Sequence, residues 1–436
     1  MLTREDNELI CRTGPGTPMG ELWRRFWLPA LMSWELPDPD CPPVRVRLLS
    51  EDMIAFRDSS GRVGLLAGNC PHRGASLFFG RNEEDGLRCV YHGWKFDLQG
   101  NCVDMPNEPA ESNFKHKIKH TAYPCVERAG IVWTYMGPRH LEPEMPQLPW
   151  MALGDDSRYT LKFLVECNYL QAMEGDIDNS HVAFAHGKID PDTSKPFLER
   201  MISAGVPIAG QPATPYYISD KTPRGIIKDT EYGLLMGWRR TLNQDTYLWH
   251  INHWFIPHST VMGALAGGTF LSNMRVPIDD EHSWQFRIRW NTFRPLSGPE
   301  LHEYKYGGTM FPELLPGAFR CVENRDNDYL IDREKQRTVL VTGIKSQTQQ
   351  DRAVNEPPPT GPIYDRSKEH LGTSDAVIIQ MRRTFLRAAR ALANGQEPFA
   401  AHHGSIYDVR PIDLDLKMDV PFEQGAGRYL YGHRVR

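Results

Sequence analysis

Two short stretches decide how this chain folds: Cys70-Pro-His72-Arg-Gly74 and Cys89-Val-Tyr-His92-Gly-Trp94. Each supplies one cysteine and one histidine, with one residue between them in the first stretch and two in the second. Zinc fingers usually group like ligands, a cysteine pair followed by a histidine pair. The mixed pairing instead suits a cluster of two irons and two sulfides, in which one iron takes both thiolates and the other takes both imidazoles.

Glycines stand beside these ligands. Gly74 and Gly93 permit tight loops whose backbone N–H groups can approach the sulfur atoms. One zinc ion held by all four side chains is an alternative, and so is a set of four unrelated loop residues. The doubled arrangement with flanking glycines favours the two-iron cluster over both alternatives.

The segment around these stretches, residues 43–137, alternates short apolar runs with turns. The alternation over Val44–Leu48 and the run Ile54–Phe56 predict two strands, and Asp58–Gly61 predicts a turn after them. Further strands are predicted at Val63–Leu66, Trp94–Asp97 and Ile131–Tyr135. The pattern is typical of an all-β module.

The residues on either side of this module indicate where its domain begins and ends. Thr3 is a good N-cap for an opening helix, and the glycine-rich stretch Gly14–Gly20 that follows is predicted to be a turn. Pro143–Pro149 is proline-rich, as linkers are. We therefore predict a first domain over residues 1–150 and a second over residues 151–436.

The second half has a different pattern. Residues 161–187 have helical character, whereas 247–256, 269–276 and 284–290 are long β-like runs. In the last run Arg287 and Arg289 alternate with apolar residues, so one face is polar. Residues 375–394 form an amphipathic helix with Ser374 as its expected cap and Gly395 at its end. Its expected buried positions are Ile378, Met381, Phe385, Ala389 and Leu392. The prediction is an α+β domain with an antiparallel sheet.

A second group of metal-binding side chains lies at residues 174–186, where carboxylates accompany His181 and His186. Two histidines and one carboxylate can hold an iron ion and leave coordination positions open. Asp178 and His181 are i, i+3 neighbours on a helix face. His181 and His186 would lie about 140° apart on a regular helix, so we predict a distorted turn, a π-bulge or a helix end there. A solvated loop with scattered histidines is the alternative.

Composition excludes some classes of protein. The chain has 436 residues, a net charge of −5, 40% hydrophobic and 24% charged residues, without the basic footprint of a nucleic-acid-binding protein. It has no run of about 18 apolar residues that would predict a membrane span. The start MLTREDNELI lacks the pattern of a secretory signal, and the eight cysteines are thinly spread. These features predict a cytoplasmic protein.

The two cysteine–histidine stretches resemble the Rieske motif of non-haem iron oxygenases. Over nearly its full length the chain is similar to the catalytic α subunit of aromatic ring-hydroxylating oxygenases in the phthalate dioxygenase-like branch. Gly14–Gly20 and Gly361–Arg366 also fit that branch. The resemblance implies an N-terminal all-β Rieske domain, a C-terminal helix-grip catalytic domain, and head-to-tail trimers or hexamers.

The resemblance also implies two sets of ligands. His181 and His186 would bind a mononuclear Fe(II), and Asp178 would be a bridging residue between His181 and a cluster histidine. Asp351, in Gln350-Asp351-Arg-Ala-Val-Asn-Glu356, would be the third iron ligand. Its nearby competitors are Asp326, Asp328 and Asp332, and the [2Fe-2S] cluster would be held by Cys70, His72, Cys89 and His92.

The activity implied by the resemblance is hydroxylation of an aromatic carboxylate with O2 to a cis-dihydrodiol. The chain has no nucleotide or flavin fingerprint, so its electrons would come from a separate NAD(P)H-dependent reductase of the flavin or ferredoxin type. O-demethylation of methoxylated, lignin-derived aromatics is the alternative and uses the same ligands. A pure electron carrier would need only about the first third of the chain, and a zinc-stabilised binding protein is a more remote alternative.

A substrate carboxylate calls for a cation, best a bidentate arginine. Arg239 and Arg240 are the preferred candidates, because one of two neighbouring strand residues would face the pocket. Other candidates are Arg224, Arg275, Arg287 and Arg289.

Overall fold

The computed structural model describes residues 2–189, 220–263 and 269–430. The N-terminal part has three small antiparallel sheets, and the C-terminal part has one antiparallel sheet of eight strands with helices packed on it. The predicted α+β class is therefore confirmed.

The strands of the N-terminal part include all five that the sequence predicted, at residues 44–48, 54–56, 63–66, 94–97 and 131–135. In chain order they are β1 Trp27–Met32, β2 Val44–Leu48, β3 Glu51–Arg57, β4 Val63–Ala67, β5 Arg81–Glu83, β6 Gly86–Arg88, β7 Lys95–Phe96, β8 Cys102–Asp104, β9 Ala122–Tyr123, β10 Cys125–Arg128 and β11 Ile131–Tyr135. The sheet β5-β6-β7-β8 lies next to the two cysteine–histidine stretches.

The large sheet has the order β12-β18-β17-β16-β15-β14-β13, and β19 pairs with β15. Its strands are β12 Arg158–Val165, β13 Arg224–Thr230, β14 Gly233–Thr241, β15 Thr246–Phe255, β16 Ser259–Met262, β17 Phe270–Pro277, β18 Ser283–Trp290 and β19 Ile412–Lys417. The three strands predicted between residues 247 and 290 are confirmed by β15, β17 and β18.

The helices are shorter and more scattered than the strands. They are α1 Arg4–Cys11, α2 Pro18–Trp23, α3 Tyr169–Ile177, α4 Gly298–His302, α5 Arg333–Thr338, α6 Gln347–Asn355, α7 Ala376–Ala393 and α8 Phe422–Leu430. Thr3 caps α1 as predicted, accepting a hydrogen bond from the Asp6 N–H at 3.1 Å. The stretch Gly14–Gly20 is a turn only in its first half, because Thr17 caps α2 within it.

The prediction of helix over residues 161–187 was wrong at its start. Residues 158–165 form β12, which pairs along its whole length with β18, and α3 begins only at Tyr169. Phe163 and Val165 are fully buried in this pairing. The sheet partner therefore decided the conformation of a segment whose local pattern was ambiguous.

The predicted amphipathic helix corresponds to α7, and all five of its predicted core positions are buried. Its start was assigned wrongly. Ser374 lies within the 3₁₀ turn Thr373–Asp375, and Asp375 stands at the N-cap. The end was correct, since Gly395 follows with a φ of 81°, which favours glycine.

The N-terminal helices pack on the C-terminal part of the chain. α1 and α2 contact α7, and the Tyr169 hydroxyl of α3 donates to the carbonyl of Ile10 at 2.5 Å. Asn168 Nδ2 donates to the carbonyl of Cys11 at 3.0 Å. These contacts fix α3, the helix that leads into the second metal-binding segment.

In the described part of the chain, no helix combines the length and the apolar character that crossing a membrane requires.

Candidate functional site

The two cysteine–histidine loops have the same backbone fold. In the first, the Gly74 N–H donates to the Cys70 carbonyl at 2.9 Å, and in the second the Gly93 N–H donates to the Cys89 carbonyl at 3.0 Å. Both glycines have positive φ, 73° and 80°, which side-chain-bearing residues rarely adopt. The loops therefore present one cysteine and one histidine each in equivalent positions.

The side chains of the loops fit a cluster. Cys70 and Cys89 are buried, and the rings of His72 and His92 lie with their centroids 4.5 Å apart. His72 Nδ1 is buried and has no hydrogen-bond partner in the described parts of the chain, which suits a ring nitrogen that binds metal. Burial, together with the nearby Cys89 thiol, raises the pKa of Cys70 to about 11, so a bound cation is needed to keep the sulfur deprotonated.

Trp94 supports this arrangement in a way that the sequence did not reveal. Its indole stacks flat on His72, with ring centroids 4.3 Å apart and 7° between the planes. The indole N–H donates to Asn107 Oδ1 at 2.8 Å, which fixes the ring. Trp94 therefore sets the orientation of one cluster histidine.

The second site joins residues from distant parts of the chain. His181, His186 and Asp351 offer ligand atoms that all lie within 4.8 Å of one another. Asp351 Oδ1 is 3.5 Å from His181 Nε2 and 3.2 Å from His186 Nε2. Two imidazoles and one carboxylate are the donor set of a mononuclear non-haem iron site, so the residues fit that metal.

The path of the chain explains how both histidines reach this point. α3 ends at Ile177, Asp178 is its C-cap, and His181–Ala183 is a 3₁₀ turn. The prediction that His181 and His186 do not lie on one regular helix is therefore confirmed, since a 3₁₀ turn at His181 takes its place. The predicted i, i+3 pairing on a helix face was wrong, because Asp178 lies beyond the helix.

Asp178 still reaches His181 through this turn. Its Oδ1 accepts hydrogen bonds from the N–H and the hydroxyl of Ser180, at 2.7 and 2.8 Å. Its Oδ2 is 3.3 Å from His181 Nδ1. A carboxylate can only accept here, so His181 Nδ1 carries the proton and Nε2 is left for a metal.

His186 is held in the same way by Gln350, whose role the sequence analysis missed. Gln350 Nε2 donates to the Ile344 carbonyl at 2.7 Å, so its Oε1 faces His186 Nδ1 at 2.6 Å. Nδ1 must then be the donor, and Nε2 points toward Asp351. The only signal in the sequence was the position of Gln350 directly before Asp351.

The electrostatics of the three residues are tightly linked. Burial by itself lowers the pKa of His181, but the carboxylates of Asp178 and Asp351 raise that pKa to about 10. Burial by itself would raise the pKa of Asp351, but His186 and His181 hold this pKa well below its usual range. A carboxylate that stays ionised beside two imidazoles is a site where a divalent cation can replace a proton.

The competing aspartates lie in other surroundings. Asp326 pairs with Arg320, and Asp332 caps α5 by accepting from the N–H groups of Glu334 and Lys335. Asp328 is exposed. None of them belongs to the cluster of metal-binding atoms that the described residues form.

The two preferred arginines lie on opposite faces of β14. Arg240 is buried and donates to the side-chain and backbone oxygens of Asn179, at 2.5 and 2.9 Å. Arg239 faces the other way, with its guanidinium 4.3 Å from the centre of the Tyr247 ring. Arg240 therefore lies beside the segment that carries Asp178 and His181, and Arg239 does not.

Comparison with known proteins agrees with this geometry. The model of the Rieske [2Fe-2S] domain matches residues 26–123, and the model described as LigXa C-terminal domain like matches residues 134–410. The NdmA QL mutant of Pseudomonas putida CBB5, solved with caffeine, has a similar fold, with a TM-score of 0.57 and 18% identity over 88% of this chain and 96% of that one.

Two curated relatives are closer in sequence. The phthalate 4,5-dioxygenase oxygenase subunit of Pseudomonas putida is 38% identical, covering 99% of this chain and 96% of the relative. The 3-chlorobenzoate-3,4-dioxygenase oxygenase subunit of Comamonas testosteroni is 36% identical, covering 91% of each. With such relatives along almost all of its length, and with two metal-binding sites that match their cofactors, the chain belongs to the Rieske non-haem iron oxygenases and is an oxygenase with a [2Fe-2S] cluster and a mononuclear iron.

Proposed function

We propose that this protein is the oxygenase component of a Rieske system that hydroxylates an aromatic carboxylate, similar to phthalate, to a cis-dihydrodiol. The observation that carries the proposal is the convergence of His181, His186 and Asp351 within 4.8 Å in a chain that also has two Rieske loops. The two relatives support the substrate class, because phthalate and 3-chlorobenzoate, for which they are named, are both aromatic carboxylates.

The residues would divide the work between two sites. The cluster would be held by Cys70, His72, Cys89 and His92, and Fe(II) by His181, His186 and Asp351. When bound, these groups supply one-electron transfer and the activation of O2. Asp178 and Gln350 hold the protons on the Nδ1 atoms of these two histidines, so that both Nε2 atoms face Asp351 and can bind the metal in place of a proton.

Asp178 would also connect the two kinds of centre across subunits. It lines an open cleft of about 240 Å³ together with Glu174, His181, Leu371 and Arg382. The cluster loops of a neighbouring copy would dock there in a head-to-tail trimer. Two such trimers, stacked on each other, would form a hexamer. A cluster histidine of that neighbour would then share the Asp178 carboxylate with His181.

Electrons would come from a separate NAD(P)H-dependent reductase in the cytoplasm, of the flavin or ferredoxin type. The sequence itself contains no dinucleotide-binding fingerprint that could supply them. The exposed side chains of Val90 and Tyr91 in the second cluster loop, and of Phe79 in the 3₁₀ turn after the first, would be available to such a partner or to a neighbouring subunit.

The test is turnover of the anaerobically purified protein with a ferredoxin and its reductase. Phthalate and benzoate should each drive O2 uptake and yield a cis-dihydrodiol, whereas 3-methoxybenzoate should release little formaldehyde. Formaldehyde as the main product would replace dioxygenation with O-demethylation. A protein that contains zinc instead of iron and sulfide would contradict the proposal altogether.

A further inference from the structure

Three arginines share one face of the large sheet. In the pairing of β17 with β18, Arg287 lies opposite Asn273 and Arg275 lies opposite Gln285, while Arg289 is two residues further along β18. This is the face on which α3 packs. All three guanidinium groups are buried, although the sequence pattern suggested only that this face is polar.

Two of the three arginines have partners on the protein. Arg275 donates to both carboxylate oxygens of Asp176 in α3, each at 2.8 Å, and to Gln285 Oε1 at 2.6 Å. Arg289 donates to the Thr269 carbonyl at 3.3 Å. These contacts explain why the sheet can hold two buried cations.

Arg287 differs from both neighbours. It is 5% exposed, and across the described ranges of the chain it has no hydrogen bond or ion pair. Its Nε is fully buried without an acceptor, as is that of Arg289, but Arg289 still donates through its Nη1 to the Thr269 carbonyl. The guanidinium carbon of Arg287 lies 5.9 Å from the centre of the Phe311 ring, within the range of a cation–π contact.

An unpaired buried cation is costly. Its effective desolvation penalty is several kcal/mol, and buried charges in proteins are almost always paired. Burial, and then the charge of Arg289, lowers the pKa of Arg287 to about 9, while Asp351 and Asp176 act in the opposite direction. Both carboxylates are already bound to other groups, Asp351 to the histidines and Asp176 to Arg275.

The position of Arg287 relates it to the iron site. Arg275 on the same face of the sheet pairs with Asp176 of α3, the helix that leads into the segment with His181, so Arg287 lies on the side of the sheet that faces this segment. Leu161, opposite Arg287 in the register of β12 with β18, and Phe311 supply apolar surface next to it. A cation beside apolar walls is the environment that an aromatic carboxylate requires.

We propose that Arg287 binds the carboxylate of the aromatic substrate and thereby fixes the ring relative to His181, His186 and Asp351. The inference rests on the proposed function, and it names the residue that selects the substrate class. Arginine suits the task because its planar fork matches a carboxylate with two parallel hydrogen bonds. Arg240 is less suitable, since its guanidinium is already bonded to Asn179.

The first test compares Arg287→Met with the wild-type holoenzyme in calorimetric titrations with benzoate and with benzamide, its neutral analogue. Hydrogen bonds to a charged group contribute about 1.5–3 kcal/mol, so the affinity for benzoate should fall roughly 10- to 100-fold. The affinity for benzamide should change less than about threefold. Arg287→Lys should recover part of the affinity for benzoate, because it keeps the charge but loses the fork.

The second test is the melting temperature without ligand. Arg287→Met removes an unpaired buried charge, so the variant should melt at the same temperature as the wild type or higher. Arg275→Met is the matched control on the neighbouring strand, and it should melt lower, because it leaves Asp176 without its cation. An arginine with a merely structural role would give the opposite result at residue 287.

The outcomes separate this inference from the function on which it rests. Equal affinity of Arg287→Met and the wild type for benzoate, or a parallel loss of benzoate and benzamide binding with a lower melting temperature, would overturn the role of Arg287. Dihydrodiol formation from phthalate would still support the proposed function in either case. A wild-type protein that oxidises only neutral aromatics and does not bind benzoate would overturn both.

Discussion

The two metal-binding sites of this protein are built in different ways. In the cluster loops, each cysteine and histidine pair sits in one loop that is closed by its own backbone hydrogen bonds. In the mononuclear site, His186 and Gln350 are 164 residues apart in the chain and are brought together by packing of α3, the turn after it and α6. A site of the first kind is specified locally, whereas one of the second kind depends on the whole domain.

The packing of α6 shows what this dependence requires. Glu356, next to the end of α6, accepts hydrogen bonds from the Glu166 N–H at 3.0 Å, the Arg352 guanidinium at 2.6 Å and the Tyr329 hydroxyl at 2.5 Å. Gln171 of α3 donates to the Asn355 carbonyl at 3.0 Å. These buried contacts hold the helix that carries Asp351 against the segment that carries the histidines.

The largest expected effect comes from breaking the mononuclear site alone. Asp351→Ala removes the carboxylate of the three-residue donor set, and we expect it to abolish turnover. Iron should fall from about three to about two per chain, while the rhombic EPR signal of the reduced cluster stays. Asp326→Ala is the matched control and should keep all of the iron. Loss of the cluster signal in Asp351→Ala would show that the two centres are not independent.

The next largest effect should come from removing Glu356, the buried carboxylate that holds α6 in place. Glu356→Ala removes the nearer of the two carboxylates that pair with the buried Arg352 and leaves only Glu166 at 3.8 Å, so we expect a cost of up to about 3–5 kcal/mol of unfolding free energy. We expect denaturant unfolding to show this loss, together with loss of mononuclear iron and retention of the cluster. Glu334→Ala breaks the exposed pair with Arg337 and should cost less than about 1 kcal/mol. Equal losses in the two variants would contradict the dependence of the iron site on this network.

A substitution at Asp178 tests the link between the two centres. Asp178→Asn keeps the shape of the side chain but weakens its bond to His181 Nδ1, so both metals should remain while turnover falls about 10- to 100-fold. Single-turnover kinetics should place the loss in cluster oxidation. Asp375→Asn, in the same cleft but without a histidine contact, is the control. Normal cluster oxidation in Asp178→Asn would remove the coupling role.

An effect of similar size, but on iron affinity alone, is expected at Gln350. Gln350→Leu removes the acceptor that orients His186, and the affinity for Fe(II) should fall about 10- to 100-fold. Equilibrium dialysis against Fe(II) under anaerobic conditions measures this directly. Gln347→Leu, at the half-buried start of the same helix and without a contact to His186, should bind iron as the wild type does. An unchanged affinity in Gln350→Leu would mean that His186 needs no such support.

The smallest expected effect concerns a contact between the N-terminal and the C-terminal part of the chain. His258 Nε2 donates to the Trp27 carbonyl at 3.0 Å, and burial lowers the pKa of His258 to about 4. As the pH falls, the unfolded chain therefore takes up a proton at this histidine before the folded chain does. The contribution of His258 to the free energy of unfolding is fully present above about pH 6.5 and is lost as the pH falls toward 4. The slope from this group is about 1 kcal/mol per pH unit.

The variant His258→Gln should flatten this dependence. Unfolding free energies at pH 7 and pH 5 should differ by about 1–2 kcal/mol less than in the wild type. His116→Gln, at an exposed position, should leave the difference as it is. The same pH dependence in His258→Gln and the wild type would assign the acid sensitivity to other groups, of which His253, with a pKa also lowered to about 4 by burial, is the first to test.

Prediction from the sequence succeeded where one segment contains its own evidence. The cluster loops, the distorted turn at His181 and the core positions of α7 follow from spacing and local geometry. It failed at residues 161–165, where the strand β12 exists because β18 lies beside it. It also missed Gln350 and Trp94, because their partners are not their neighbours in sequence.

The arginines of the large sheet show what the sequence determines and what depends on the tertiary structure. The period of a strand determines from sequence alone that Arg239 and Arg240 face opposite sides of the sheet, and that Arg287 and Arg289 face the same side. It does not say which side faces the iron-binding residues, or which buried guanidinium is left without a hydrogen-bond acceptor. Only the tertiary structure decided this, because burial and pairing depend on the strands and helices that pack around each arginine: Asp176 reaches Arg275, Asn179 reaches Arg240, and no described side chain or carbonyl reaches Arg287.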